Sequence, residues 1–138
     1  IRHLLGREDV MDKVVHFEIT FDDQERAKKF YQSAFGWELY DNDMGNGVTY
    51  TTAMTVPVDD DRRPKEPGAI NGGFTGKSKE TPSPVITIGV DSIDETLKKV
   101  EAGGGKVVTP RTPIPDMGAF AYFTDTEGNT MGLFESSW

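Results

Sequence analysis

The stretch VVHFEITF, residues 14 to 21, decides how this sequence folds. Apolar and polar residues alternate along it, and such alternation is typical of a β-strand that buries one face. The apolar face is formed by Val15, Phe17, Ile19 and Phe21, and the polar face by His16, Glu18 and Thr20. An imidazole and a carboxylate on one face indicate that this face meets either water or a binding site.

The same pattern recurs 69 positions further along the chain. HFEITFDDQE at 16–25 aligns with VITIGVDSID at 85–94, and each is an alternating strand followed by a capping residue and the start of a helix. Gly36 and Gly105 follow the two helices at matching positions. A period of this kind indicates two copies of one supersecondary unit.

Apolar spacing predicts one amphipathic helix in each unit. The first is expected from about Gln24 to Phe35, with Asp22 or Asp23 as the N-cap and Gly36 as the stop signal. Its apolar positions follow the spacing of one buried helix face, namely Ala27, Phe30, Tyr31, Ala34 and Phe35.

The second helix is expected from about Ile93 to Ala102, where Ser92 and Glu95 form a capping box. Strand-like segments follow both helices: WELYDN, GVTYTTAM and AINGGF after the first, and KVVTP, AFAYFTD and NTMGLFE after the second. Both units therefore read β-α-β-β-β. We predict an α+β fold made of two tandem modules.

Length and composition limit the class of protein. The 138 residues carry a formal net charge of −8 and include no cysteine. The negative field disfavours nucleic acid and anionic membranes as partners, and the lack of cysteine excludes disulfides and thiolate metal sites. No apolar run approaches the length of a membrane span. We therefore expect a cytoplasmic protein without a nucleic-acid or membrane partner.

We expect one domain at 11–138, with module one at 12–76 and module two at 83–138. The segment IRHLLGREDV, residues 1–10, precedes the periodic pattern. We expect it to be an upstream extension or a remnant of cloning.

Three segments together resemble the vicinal oxygen chelate superfamily, which includes glyoxalase I, bleomycin-resistance proteins and extradiol dioxygenases. They are HFEITFDDQERAKKFYQSAFGWEL at 16–39, VDSIDETLKKVEAGGGKVV at 90–108 and FTDTEGNTMGLFE at 123–135. The resemblance covers residues 12–135 and looks closest to small glyoxalase-like proteins. It implies that the sheets of the two modules curve into a cup, and that the chain pairs as a homodimer.

The resemblance also implies a divalent metal in the cup, bound by residues of the first and last strands. His16 and Glu135 match two ligand positions. Val85 and the segment GGF at 72–74 match the other two and carry no ligating side chain. Glu18 shares the face of His16 but lies about 6.6 Å away along the strand, which strains convergence on one ion. The metal set is therefore incomplete, and we expect no resident cofactor, with a divalent metal as the alternative.

The remaining candidates would line a pocket for a small-molecule ligand. We predict substrate contacts from His16, Glu18, Trp37, Tyr50, Phe120 and Tyr122. His16 is the best catalytic candidate, because a neutral imidazole both donates and accepts hydrogen bonds and titrates near neutral pH.

Three functions agree with these residues. The first is a glyoxalase-like small-molecule-binding protein with a degenerate metal site. The second is a metal-dependent lyase, isomerase or dioxygenase acting on a substrate with vicinal oxygens. The third is a drug-sequestering resistance protein. The sequence leaves open whether the protein is an enzyme and which ligand it binds.

Overall fold

The computed structural model describes residues 11–45 and 47–137, so the predicted extension at residues 1–10 lies outside it. The predicted α+β class and the repeated β-α-β-β-β order are confirmed. The elements in chain order are β1 Val14–Phe21, α1 Gln24–Phe35, β2 Glu38–Asp43, β3 Thr49–Met54, β4 Gly72–Gly76, β5 Val85–Gly89, α2 Ile93–Ala102, β6 Lys106–Ile114, β7 Gly118–Thr124 and β8 Thr130–Ser136. Neither of these two helices is long and apolar enough to cross a membrane.

All of these strands form one sheet in the order β2-β3-β4-β1-β5-β8-β7-β6. The first strands of the two modules, β1 and β5, pair antiparallel at its centre. The last strand of each module returns parallel to the first, since β4 pairs with β1 and β8 pairs with β5. The stretch VVHFEITF therefore contacts both modules, and the alternation of its side chains assigns the two faces of the sheet.

One face of the sheet carries the helices, and we call it the helix face. Residues opposite one another on paired strands point to the same side of a sheet. Leu133 lies opposite Ile88 and Ala121, and all three belong to or pack on a core that includes Ile93 and Leu97 of α2. This core holds the second module together through apolar burial.

The opposite face is concave. His16, Thr87, Gly132 and Tyr122 lie opposite one another across four successive strands of this face, from β1 to β7. The Tyr122 hydroxyl nevertheless donates a hydrogen bond to Glu18 on β1. Three strand spacings in a flat sheet amount to about 14 Å. Because the two side chains meet across this distance, the sheet must curve toward them.

Helix α1 differs from the prediction. The helix limits and caps are as expected, with Asp23 accepting from the Arg26 backbone N–H at 3.0 Å and Gly36 in the left-handed region at φ 72°. The predicted buried stripe is wrong, because no residue of α1 is buried, and Phe30 and Phe35 are 58% and 62% exposed. Periodicity identifies the apolar side of a helix, but it does not show how much of the sheet covers that side.

Tyr31 connects α1 to the buried core of module one. Within residues 11–45 and 47–137, it is the residue of α1 whose ring contacts a buried ring of this module. Its ring lies 5.5 Å from that of Phe74 and stacks on Trp37 at 4.9 Å. Phe30 and Phe35 also pack on Tyr31. In module one, α1 therefore contacts the sheet through the Tyr31 ring and through polar side chains, with Gln24 donating to Thr51 and Lys28 to Asp41. The second module uses an aliphatic core.

Gly73 on β4 makes room for a tyrosine on the concave face. Tyr50 on β3 crosses β4 at this position, and a Cβ on Gly73 would overlap the Tyr50 hydroxyl and ring. Gly76, three residues further along the same strand, would place a Cβ no closer than 3.9 Å to any neighbouring atom. The two glycines therefore differ in whether a side chain fits.

We predict that Gly73→Ala lowers the free energy of unfolding by about 1–3 kcal/mol, because a new methyl group is forced into occupied space. Gly76→Ala is the matched control and is expected to change this free energy by less than about 0.5 kcal/mol. Urea unfolding followed by circular dichroism measures both. Equal effects of the two substitutions would show that Tyr50 does not cross β4 at Gly73.

Candidate ligand-binding site

A buried carboxyl group occupies the centre of the concave face. Glu18 is 8% exposed, although it is a glutamate. It accepts one hydrogen bond from the Tyr50 hydroxyl at 3.1 Å and another, on its other oxygen, from the Tyr122 hydroxyl. Tyr50 comes from module one and Tyr122 from module two, so the two halves of the chain meet at this one group.

His16 extends the cluster. Its Nε2 atom lies 3.1 Å from the Tyr50 hydroxyl oxygen. Tyr50 has a single hydroxyl hydrogen and donates it to Glu18, so the hydrogen shared with His16 belongs to the imidazole. This assignment follows from the hydrogen-bond network. The Nδ1 atom of His16 is then an acceptor.

Burial sets the ionisation of the cluster. It lowers the pKa of His16 to about 4, so that the imidazole is neutral at pH 7. Burial raises the pKa of Glu18, and the hydrogen bonds from Tyr122 and Tyr50 act in the opposite direction. Burial and the neighbouring Glu18 charge both raise the pKa values of Tyr50 and Tyr122. The two phenols therefore remain protonated donors.

The cluster is bordered by hydroxyl and aromatic groups. Thr87, which is 6% exposed, lies opposite His16 on β5. Phe120 packs against Tyr122 with a ring separation of 5.6 Å. Thr52 lies opposite Gly73 and accepts a hydrogen bond from the Asn42 amide at 2.8 Å. A small number of polar groups within an apolar wall is the usual composition of a small-molecule site.

A surface cavity of about 380 Å³ lies away from this cluster. It is bordered by 82–84, Ile86 and 128–131. None of these residues has a titratable side chain. The acid–base groups are on the concave face, so we place the candidate site there.

Trp37 lies on the other side of the sheet. Its ring stacks on Tyr31 of α1 and lies 5.5 Å from Phe17, which shares the helix face. Trp37 follows the C-cap Gly36 directly and precedes β2. This placement gives no support to the predicted contact between Trp37 and a ligand, whereas His16, Glu18, Tyr50 and Tyr122 are brought together and Phe120 adjoins them.

Glu135 also lies on the helix face. Its carboxylate accepts from the backbone N–H of Ile93 at 2.9 Å and pairs with Arg111 at 2.9 Å. The Arg111 hydrogen bond and the Ile93 N–H lower the pKa of Glu135. Glu135 has the parity of Leu133, which packs in the helix-face core. His16 and Glu135 therefore lie on opposite faces and do not converge.

The donor set does not fit a divalent metal. Among residues 11–45 and 47–137, no three His, Cys, Asp or Glu side chains lie together, whereas a catalytic zinc usually has three protein ligands. The Nε2 atom of His16 and both oxygens of Glu18 already have tyrosine partners. The predicted pair of His16 and Glu135 is therefore not a binding site in this arrangement.

Two concave-face residues of module two were not among the predicted site residues. Thr87 is buried beside Gly132, where a Cβ would lie 2.7 Å from the Thr87 hydroxyl oxygen. The sequence does indicate the position of Thr87. It lies two residues after Val85, which aligns with His16 in the repeat, so Val85 and Thr87 share one face of the strand. Thr87 was not predicted because a threonine hydroxyl is not a usual metal ligand.

The fold and the site define a class of protein in which two β-α-β-β-β modules share one sheet around a polar concave face. A model of the Glyoxalase/Bleomycin resistance protein/Dioxygenase superfamily matches residues 13–133. The chain belongs to this superfamily.

Curated relatives and solved structures agree with this membership. The chain is 35% identical over 122 residues to CFP32 of Mycobacterium tuberculosis, provisionally named a glyoxylase, and the match covers 87% of this chain and 44% of that protein. The chain thus spans less than half the length of this relative. It is 26% identical to a lactoylglutathione lyase of Haemophilus influenzae, covering 90% of this chain and 93% of that one. A Streptomyces coelicolor methylmalonyl-CoA epimerase in complex with 2-nitronate-propionyl-CoA has the same fold, with a TM-score of 0.64, 16% identity, and coverage of 94% and 100%.

We predict that His16 titrates near pH 4 in the folded protein, well below the pKa of an exposed histidine, because its imidazole is buried. The folded pKa lies below the unfolded value, so this contribution to stability is complete above about pH 6.5 and is lost as the pH falls toward 4. NMR titration of the imidazole Hε1 signal measures it, and the same titration in urea is the control. A midpoint near 6.5 under both conditions would contradict burial of His16.

We predict that Glu135→Ala lowers the free energy of unfolding by about 1–2 kcal/mol, because the first turn of α2 loses its acceptor and its negative charge. Glu101→Ala, at an exposed position late in the same helix, is the control. Urea unfolding at pH 7 compares the two variants. Loss of a bound divalent metal, without loss of stability, would instead establish Glu135 as a ligand.

Proposed function

We propose that the protein binds a small organic molecule on its concave face, at the cluster of Glu18, Tyr50, Tyr122 and His16. The observation that carries this proposal is the buried Glu18 carboxyl, which receives a tyrosine hydroxyl from each module. Burying an ionisable group costs free energy that an apolar residue would not cost. If this position served packing alone, an apolar side chain would fill it equally well. Perturbed titratable groups gathered on a concave surface are instead characteristic of functional sites.

The related proteins support a small-molecule ligand. One solved structure of this fold is described in complex with 2-nitronate-propionyl-CoA, and one relative is named a lactoylglutathione lyase. Both names refer to small-molecule chemistry in those proteins. The specific reaction is not carried over to this chain.

Binding without a resident metal fits these residues better than metal-dependent lyase, isomerase or dioxygenase activity. Such activity requires several donors with free lone pairs around an open coordination position. Here the cluster offers one imidazole and one carboxyl group, and its two phenols remain protonated. A sequestering role, as in drug-resistance proteins, requires the same binding surface and no further catalytic group.

We predict that small aromatic fragments raise the melting temperature of the wild-type protein by mass action, and that Tyr122→Phe weakens their binding about tenfold. The reason is that loss of the phenol hydroxyl removes one donor from Glu18 and changes the surface that the ligand meets. Tyr31→Phe is the control, because Tyr31 belongs to the helix-face aromatic cluster. Fluorescence thermal shift gives the hits, and isothermal titration gives the affinities.

The same titrations in the presence of EDTA test the metal-independent part of the proposal. Unchanged affinity supports it. Binding that EDTA abolishes and Zn²⁺ or Mn²⁺ restores would favour the metal-dependent alternative. Equal affinity in wild type, Tyr122→Phe and Tyr31→Phe would place the ligand away from the concave face and contradict the proposed site.

A further inference from the structure

Within the part of the chain that the structure describes, no cationic side chain lies beside the acidic Glu18 at the centre of the concave face. The residues beside Glu18 in the sheet are Gly73 on β4 and Val85 on β5. Thr52 and Tyr40 follow on the next two strands beyond Gly73. The residues beside His16 are Thr87, Gly132 and then Tyr122. None of these neighbours is cationic, so the one ionisable acid at the centre of this face has no counter-charge among them.

Three cations of the sheet and its surroundings pair with acids other than Glu18. Lys28 pairs with Asp41 at 2.7 Å and with Glu25 at 3.0 Å on the helix face. Lys77 and Arg111 pair with Asp22 and Glu135 respectively.

Other cations near the sheet and its helices are exposed or paired with other acids. Lys13, Lys29 and Lys99 are exposed, and Lys98 pairs with Glu95 at 3.1 Å. Lys106 is exposed at the start of the outermost strand, opposite Thr124. Arg26 lies 4.0 Å from Asp23 at the start of α1. Across residues 11–45 and 47–137, the ion pairs that the structure shows do not include Glu18.

A ligand bound on this face experiences the electric field of Glu18, whose carboxyl group has little contact with water. A charge interacts more strongly at a buried site than in water, because the effective dielectric constant is lower. An anionic group placed against Glu18 is repelled and finds no cation here to offset that repulsion. A cationic group supplies the missing counter-charge.

The remaining groups also suit a planar cation. Each oxygen of Glu18 accepts one hydrogen bond from a phenol and keeps a second acceptor position. The His16 Nδ1 atom is a further acceptor. Tyr50, Tyr122 and Phe120 supply aromatic rings, and ring faces attract amidinium, guanidinium and ammonium groups.

We infer that the ligand class of this site is cationic: a small molecule with an amidinium, guanidinium or ammonium group on an apolar body, bound through Glu18. Carboxylates and phosphates of similar size are selected against. This inference rests on the proposed function and specifies it, because it names the charge that the concave face recognises.

Three probes of nearly the same shape separate the charge from the rest of the ligand. Benzamidine is cationic, benzamide is neutral and benzoate is anionic, and all three are a benzene ring with a planar head group. Each is titrated into the full chain at pH 8, which favours the ionised form of Glu18. Shifts of the ring signals of Tyr50, Tyr122 and Phe120 in two-dimensional NMR spectra report binding on the concave face.

The expected order of affinity is benzamidine, then benzamide, then benzoate, with at least tenfold between the first and the last. Glu18→Gln is expected to reduce benzamidine affinity about tenfold while leaving benzamide affinity within about threefold. Glu101→Gln makes the same change in net charge at an exposed position on α2, and it is expected to preserve the order.

The outcomes distinguish this inference from the proposed function. Benzoate binding on the concave face as tightly as benzamidine would overturn the cationic ligand class and leave small-molecule binding intact. Equal losses of benzamidine affinity in Glu18→Gln and Glu101→Gln would show that net charge, and not Glu18, sets the preference, which also overturns the inference. Binding of none of the three probes at 10 mM would contradict the proposed function and the inference together.

Discussion

The buried carboxyl group of Glu18 is the constraint on which the rest of the structure depends. Tyr50 and Tyr122 both donate to it, and they belong to different modules on either side of β1. For both phenols to reach it, β4 must carry a glycine at position 73 and the sheet must curve toward β1. A flat sheet, or a side chain at Gly73, would leave this carboxyl buried with fewer donors. The polar cluster therefore forms only if the sheet curves, and the same curvature makes this face of the sheet concave.

The two modules satisfy different demands on the two faces of the sheet. Module two is stabilised by the aliphatic core under α2, and the Glu135 pair with Arg111 and the Ile93 N–H fixes the start of that helix. Module one has no buried residue in α1, which contacts the sheet through the rings around Tyr31 and through hydrogen bonds from Gln24 and Lys28. The most apolar packing therefore lies on the helix face of module two, between α2 and the sheet. The polar groups that would contact a ligand come from both modules.

Local sequence patterns predicted the helices and strands, but they did not predict which polar and charged side chains contact one another. Period-2 alternation placed β1 at residues 14–21, and caps with apolar spacing placed α1 and α2, because these signals depend on near neighbours. Glu135 was assigned to the cup from its position in a motif, yet a strand reverses its face at every residue. Its partner Arg111 is 24 residues away. Convergence of Tyr50 and Tyr122 on Glu18 depends on curvature, which one-dimensional spacing does not encode.

The phenols explain how this fold accommodates His16 and Glu18 side by side on the concave face. A divalent cation would stabilise a carboxylate on this face by direct coordination and would keep the neighbouring imidazole neutral. Here the hydroxyl dipoles of Tyr50 and Tyr122 stabilise the carboxylate, and burial alone keeps His16 neutral. Hydroxyl dipoles lower the energy of a carboxylate but cancel none of its net charge. A site built in this way retains a negative charge that a metal site would neutralise, and that retained charge gives the concave face its preference for a cation.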